Sequence, residues 1–167
     1  MTNTIHRVVI AVLLSAVVGC GATKPEPTGG PAAPKPTSES QVVEVDVFRA
    51  VNAQREAAGE ALLEWNGHLA VLAREHSDMM AVGRVPVGHA GFDIRMRGAV
   101  SLSGSKRGAE NVSAQPREAS EVASASVKQW LGSDKHRKNM LGHFTETGVG
   151  VARVADGKYF VTQIFVQ

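Results

Sequence analysis

One cysteine stands in this chain of 167 residues, at position 20, and it limits what the rest can be. No intrachain disulfide can form, so any folded part must be held by its hydrophobic core alone. About 120 residues remain once the front end is set aside, enough for one sizeable core without staples. Hydrophobic residues make up 43% of the chain and charged ones 20%, proportions that support such a core.

The first 20 residues read MTNTIHRVVIAVLLSAVVGC. A polar start with Arg7 leads into an apolar run over 8–18, and a small residue then precedes Cys20. This is the layout of a secretory signal peptide over residues 1–19, with a run too short to span a bilayer as a helix. The stretch Val17-Val18-Gly19-Cys20 resembles the lipobox of bacterial lipoproteins. That resemblance implies cleavage before Cys20, acyl chains (palmitate among them) on the cysteine, and a membrane partner held through that anchor. Two or three chains hold a protein on a membrane stably, where one does so only marginally. Gly21 is not the aspartate associated with inner-membrane retention, which favours the outer membrane in a cell that has two.

Five of the seven prolines fall in residues 21–41, among glycine, serine and threonine. Such a stretch buries too little apolar surface to fold and reads as a flexible linker. It would span roughly 25 Å as a coil and roughly 60 Å drawn out. The formal net charge is +2, and Arg7 lies in the expected leader, so the mature product is near neutral. That excludes the basic footprint of a nucleic-acid binder. Lys106-Arg107 is an isolated pair, and the run from Lys135 to Lys138 reads as a solvated helix face.

From residue 42 the pattern changes to one folded domain ending at 167. Asp46 is placed to cap a first helix that buries Val47 and Val51 and ends near Ala58-Gly59. Asn66 caps a second, whose Leu69, Leu72, Ala73, His76 and Met80 form one apolar stripe up to Gly83. Residues 84–108 are rich in glycine and serine, with a short helical piece expected around 93–99. Glu110-Asn111-Val112 starts a strand. Pro116 opens a third helix with Ala123, Val127, Trp130 and Leu131 on one face, and Ser133 caps a fourth over 134–141. Strands over 147–154 and 158–166 form a hairpin across Ala155-Asp156-Gly157, with Asp-Gly as the turn pair. The sum is an α/β fold, a small mainly antiparallel sheet covered by helices.

Six signatures then line up in order. They are Val51-Asn52-x-x-Arg55; Leu69-x-x-x-Ala73-x-x-His76-x-x-Met79; Gly88-His89; Ala109-Glu110-Asn111-Val112; Trp130-x-x-Ser133-x-x-His136-Arg137-x-Asn139-Met140-Leu141; and Phe144-Thr145-Glu146-Thr147-Gly148-Val149-Gly150. Together, over about residues 46–167, they resemble the CAP superfamily of cysteine-rich secretory, antigen 5 and pathogenesis-related proteins, in its disulfide-free bacterial branch. The resemblance implies an α-β-α sandwich with a cleft lined by two histidines and two glutamates that can hold a divalent cation, often zinc. His89, Glu110 and His136 match three of those positions. Ser133 stands where the second glutamate would be. His143, in Gly-His-Phe-Thr, is a local rival for the second histidine. The resemblance implies roughly a dozen residues between this histidine and the Gly-Val-Gly strand, which favours His136, twelve residues before Gly148.

Two imidazoles and one carboxylate suit zinc with an open position for water. Glu110 either ligates directly or orients an imidazole from behind. With the fourth residue missing, binding of zinc or another divalent cation is expected to be weak. The rival reading is a polar cleft in which His89 and Glu110 only hydrogen-bond. His76 reads as a core histidine, His68 as exposed, Trp130 as core, and Asn111 and Asn139 as backbone-bonding. Ser133 beside His136 lacks an orienting acid and reads as a helix cap rather than a nucleophile. The resemblance thus implies a membrane-anchored, non-catalytic module of the cell envelope that binds a lipid, glycan or protein. A metal-assisted hydrolase using His89, Glu110 and His136 is the alternative.

Overall fold

The computed structural model describes residues 31–167. The expected leader, Cys20 and linker residues 21–30 lie outside the described residues. Residues 31–37 carry no regular structure, but a helix, α1 (Glu39–Ala57), begins inside the stretch expected to be linker. Its start is a box of polar side chains. Ser38 Oγ accepts the amide of Gln41, and the Gln41 side chain reaches back to the amide and hydroxyl of Thr37. Ser-x-x-Gln is a helix-start signal in its own right, and it displaces the expected cap at Asp46, which lies inside the helix.

The remaining elements follow as β1 (Glu64–Trp65), α2 (Gly67–Ala81), α3 (Phe92–Ser103), β2 (Gly108–Gln115), α4 (Ala119–Leu131), α5 (Asp134–Leu141), β3 (Glu146–Arg153) and β4 (Tyr159–Val166). Asn66 caps α2 as expected, accepting the amides of His68 and Leu69. Pro116 does not open α4. It follows the last residue of β2, where a residue without an N–H ends strand pairing, and the helix starts three residues later. Ser133 occupies the N-cap position of α5 without a side-chain capping bond.

The sheet has the order β1-β3-β4-β2. β3 pairs antiparallel with β4 and β4 with β2, while the two-residue β1, absent from the sequence reading, pairs parallel with β3. The expected mainly antiparallel sheet is therefore present, with one short parallel edge.

Helices cover both faces, giving the α-β-α sandwich. On one side Val47, Phe48 and Val51 of α1 and Val127 and Trp130 of α4 bury Val149, Val151, Val161 and Phe165. On the other, Leu69 and Ala73 of α2 with Met96 and Ala99 of α3 bury Ile164 and Val166. Alternate residues of β4 thus enter different cores, which is why that strand reads as an unbroken apolar run.

The Gly148-Val149-Gly150 signature has a packing cause. A Cβ on Gly148 would lie 2.2 Å from the Ala70 nitrogen, and one on Gly150 would lie 2.0 Å from the Arg74 nitrogen. The backbone of α2 rests directly on β3.

Candidate functional site

The site starts from a helix turn that ends in a loop. His76, fully buried on α2, donates its Nε2–H to the carbonyl of Gly88 at 2.7 Å. This holds the loop that carries His89. Arg95, one turn into α3, donates to the carbonyl of Ala90 at 2.8 Å and fixes the loop from the other side.

Glu110 lies on β2 with its side chain wholly buried. An isolated carboxylate there would be costly, and two partners balance it. Arg95 grips it as a fork, Nε to Oε2 at 2.7 Å and Nη2 to Oε1 at 2.8 Å. His89 Nδ1 meets Oε1 at 2.9 Å. The acceptor is a carboxylate, so Nδ1 carries the proton and Nε2 is left with a lone pair for a ligand. The His89 side chain is 46% exposed, so the ring is open to solvent.

His136 comes from α5. Its ring centroid lies 6.0 Å from that of His89, with the planes inclined at 42°. Two asparagines set α5 against β2: Asn111 donates to the carbonyl of His136, and Asn139 donates to the carbonyl of Glu110 and to Asn111 Oδ1. The Glu-Asn and His-Arg-x-Asn signatures are therefore one joint. Burial, and after it the neighbouring His89, pushes the pKa of His136 below the ordinary imidazole range. Its Nδ1 is buried with no hydrogen-bond partner among the described residues.

The structure thus brings His89, Glu110 and His136 together, and it places His143 elsewhere, exposed, with its carbonyl against Arg107. Ser133 starts the helix that carries His136. Among the described residues no three His, Cys, Asp or Glu side chains are arranged to hold a metal ion. Both oxygens of Glu110 are engaged, by a guanidinium and by an imidazole N–H.

Sequence reasoning missed Arg95. Its signal was a cation beside Met96 and Ala99 on the buried face of a helix, a position that demands an acidic partner. It also missed why Asn52 and Arg55 recur in one signature. Asn52 bonds both backbone groups of Leu63, and Arg55 donates to the carbonyls of Ala61, Met140 and Gly142, closing the loops below α5.

Residues 48–165 match the family model described as the cysteine-rich secretory protein family, CAP. The chain belongs to the CAP family.

Among solved structures it is similar to an extracellular protein containing an SCP domain from Bacillus anthracis. The identity is 28% and the TM-score 0.58, over 80% of this chain and 45% of that one. It is also similar in fold to a cysteine-rich secretory protein of Staphylococcus aureus, at 22% identity and TM-score 0.59, over 78% of this chain and 40% of that one. An outer surface protein of Borrelia burgdorferi shares the fold at 17% identity and TM-score 0.62, over 80% of this chain and 96% of that one. The chain spans under half the length of the first two. No curated protein sequence matches it.

Proposed function

We propose that this CAP domain is exported, tethered to an envelope membrane through a lipid on Cys20, and acts as a non-catalytic binding module. The observation that carries the binding reading is the state of Glu110. In a metal-assisted hydrolase its carboxylate would serve as general base or metal ligand. Here it is neutralised by Arg95 and bonded to His89, so two neighbouring imidazoles stand beside a carboxylate that is already engaged. A lipid, glycan or protein surface that meets His89 and His136 is the ligand this suits. A divalent cation such as zinc would be held by the same two imidazoles, weakly and in exchange with solvent.

Calorimetric titration with zinc tests the cleft. The native protein is expected to give weak binding that disappears in His89→Ala/His136→Ala. Identical heats in both proteins would remove the metal from the reading. Steady turnover of an ester or peptide that is lost in either single variant would instead establish an enzyme.

The tether is supported by the cysteine behind an apolar run and by the extracellular character of the Bacillus anthracis relative. Where the cell has two membranes, the outer one is its place. Cells given labelled palmitate are expected to label the native chain and leave Cys20→Ser unlabelled. Equal labelling of both would end the anchor reading.

A further inference from the structure

The cleft does not use the outer face of α3, and that face has its own chemistry. Ile94, Arg97 and Ser101 follow one another at helical spacing on the side away from the buried Arg95, Met96 and Ala99. Ile94 is 70% exposed and Leu102, farther round the helix, 54%. Beside this line runs a groove of about 450 Å³, with Phe92, Met96 and Val100 as its apolar lining and Asp93, Arg97, Lys106 and Arg107 as its charged one.

The cations outnumber the acid three to one. Asp93 is the one acidic residue on α3, and residues 94–109 contain none. Arg97 and Lys106 are exposed and make no ion pair among the described residues. Among the described residues the Arg107 guanidinium meets neutral groups: Gln167 Oε1, the His143 carbonyl and the Phe144 ring. Ile94 and Leu102 are large apolar side chains left mostly in water, which costs solubility.

We infer that the α3 face, from Ile94 to Arg107, docks the domain on the surface of a membrane rich in anionic lipid. Arg97, Lys106 and Arg107 meet the headgroups while Ile94 and Leu102 enter the boundary with the acyl chains. The mixture selects this occupant. A soluble polyanion would use the cations and leave Ile94 and Leu102 wet, and a second copy of the chain would bring the same positive charge against itself. A helix with apolar side chains among cations is the composition that lies in a membrane interface. Docking would lay the domain flat and put the His89 cleft, which touches α3 through Phe92, close to the lipid surface. The inference does not depend on the Cys20 anchor or on the ligand of the cleft.

Residues 21–167, lacking leader and lipid and keeping the whole folded part, are to be mixed with sedimenting vesicles. One set is phosphatidylcholine alone, the other equimolar phosphatidylcholine and phosphatidylglycerol. The protein is expected to sediment with the second set only and to be released by added salt. Arg97→Gln/Lys106→Gln is expected to weaken binding about fivefold for each cation removed. Ile94→Ser/Leu102→Ser is expected to weaken it on anionic vesicles while keeping its salt dependence, and melting curves would check that each variant is folded. Equal sedimentation with both vesicle sets, no sedimentation with either, a dimer in the absence of vesicles, or binding unchanged in both folded variants would overturn the proposal.

Discussion

His76 is fully buried, bonded through one nitrogen to the Gly88 carbonyl, with the other nitrogen lacking a partner among the described residues. Burial is the main cause that pushes its pKa below the ordinary imidazole range, opposed in part by the Gly88 carbonyl. His136 is shifted the same way. In the unfolded chain both take up protons near pH 6.5, while in the folded chain they resist. The unfolded state therefore binds more protons on acidification. Stability is full above about pH 6.5 and falls as the pH drops through the window between the unfolded and folded values. The limiting slope is about 1.4 kcal/mol per pH unit for each histidine. Urea unfolding between neutral and mildly acid pH is expected to show this loss. In His76→Gln, which can still donate to Gly88, the slope should be shallower. An unchanged slope would mean that His76 is not the group responsible.

At the scale of elements, the contact between α2 and β3 is the tightest in the fold. Adding a methyl at Gly150 would force the α2 backbone away from the sheet, and with it His76 and the loop that carries His89. Gly150→Ala is expected to cost at least about 3 kcal/mol, at the upper end of overpacking. Gly157→Ala, in the open turn between β3 and β4 at φ +88°, should cost only about 1 kcal/mol, from backbone strain. Thermal melts of the two variants check the ranking, and equal losses would refute direct backbone contact.

Much of this level was legible beforehand. Asn66 before an apolar stripe, Asp-Gly between two valine-rich runs and the stripe of α4 each carry a local signal that tertiary packing did not override. The start of α1 was also written in the chain, as Ser38-x-x-Gln41, but the prolines just before it drew the linker too far. β1 had no local signal. Two residues acquire a strand conformation only by lying beside β3.

The whole molecule adds a device that no element shows alone. β1 covers only Glu146 and Thr147 of β3, so among the described residues the rest of that edge has no strand beside it. Glu44 of α1 fills the gap, accepting the Val151 amide at 3.1 Å and the fork of Arg74 from α2 at 2.6 and 2.7 Å. One carboxylate thus satisfies an open edge and ties together helices from opposite faces of the sheet. Burial raises its pKa against the lowering pull of Arg74. Glu110 and Arg95 repeat the pattern on the other side of the sheet, where the joined pieces are the His89 loop, α3 and β2.

From the order of its residues alone this protein's helices, its hairpin, its family and the candidates His89, Glu110 and His136 could be read. Each rests on neighbours in the chain or on motifs kept in sequence. That Arg95 neutralises Glu110, that Asn111 and Asn139 form one joint, and that Glu44 reaches Arg74 were decided only in three dimensions. A charge inside a low-dielectric core is committed by whatever partner packing brings to it, and those partners lie 15 to 30 residues away along the chain.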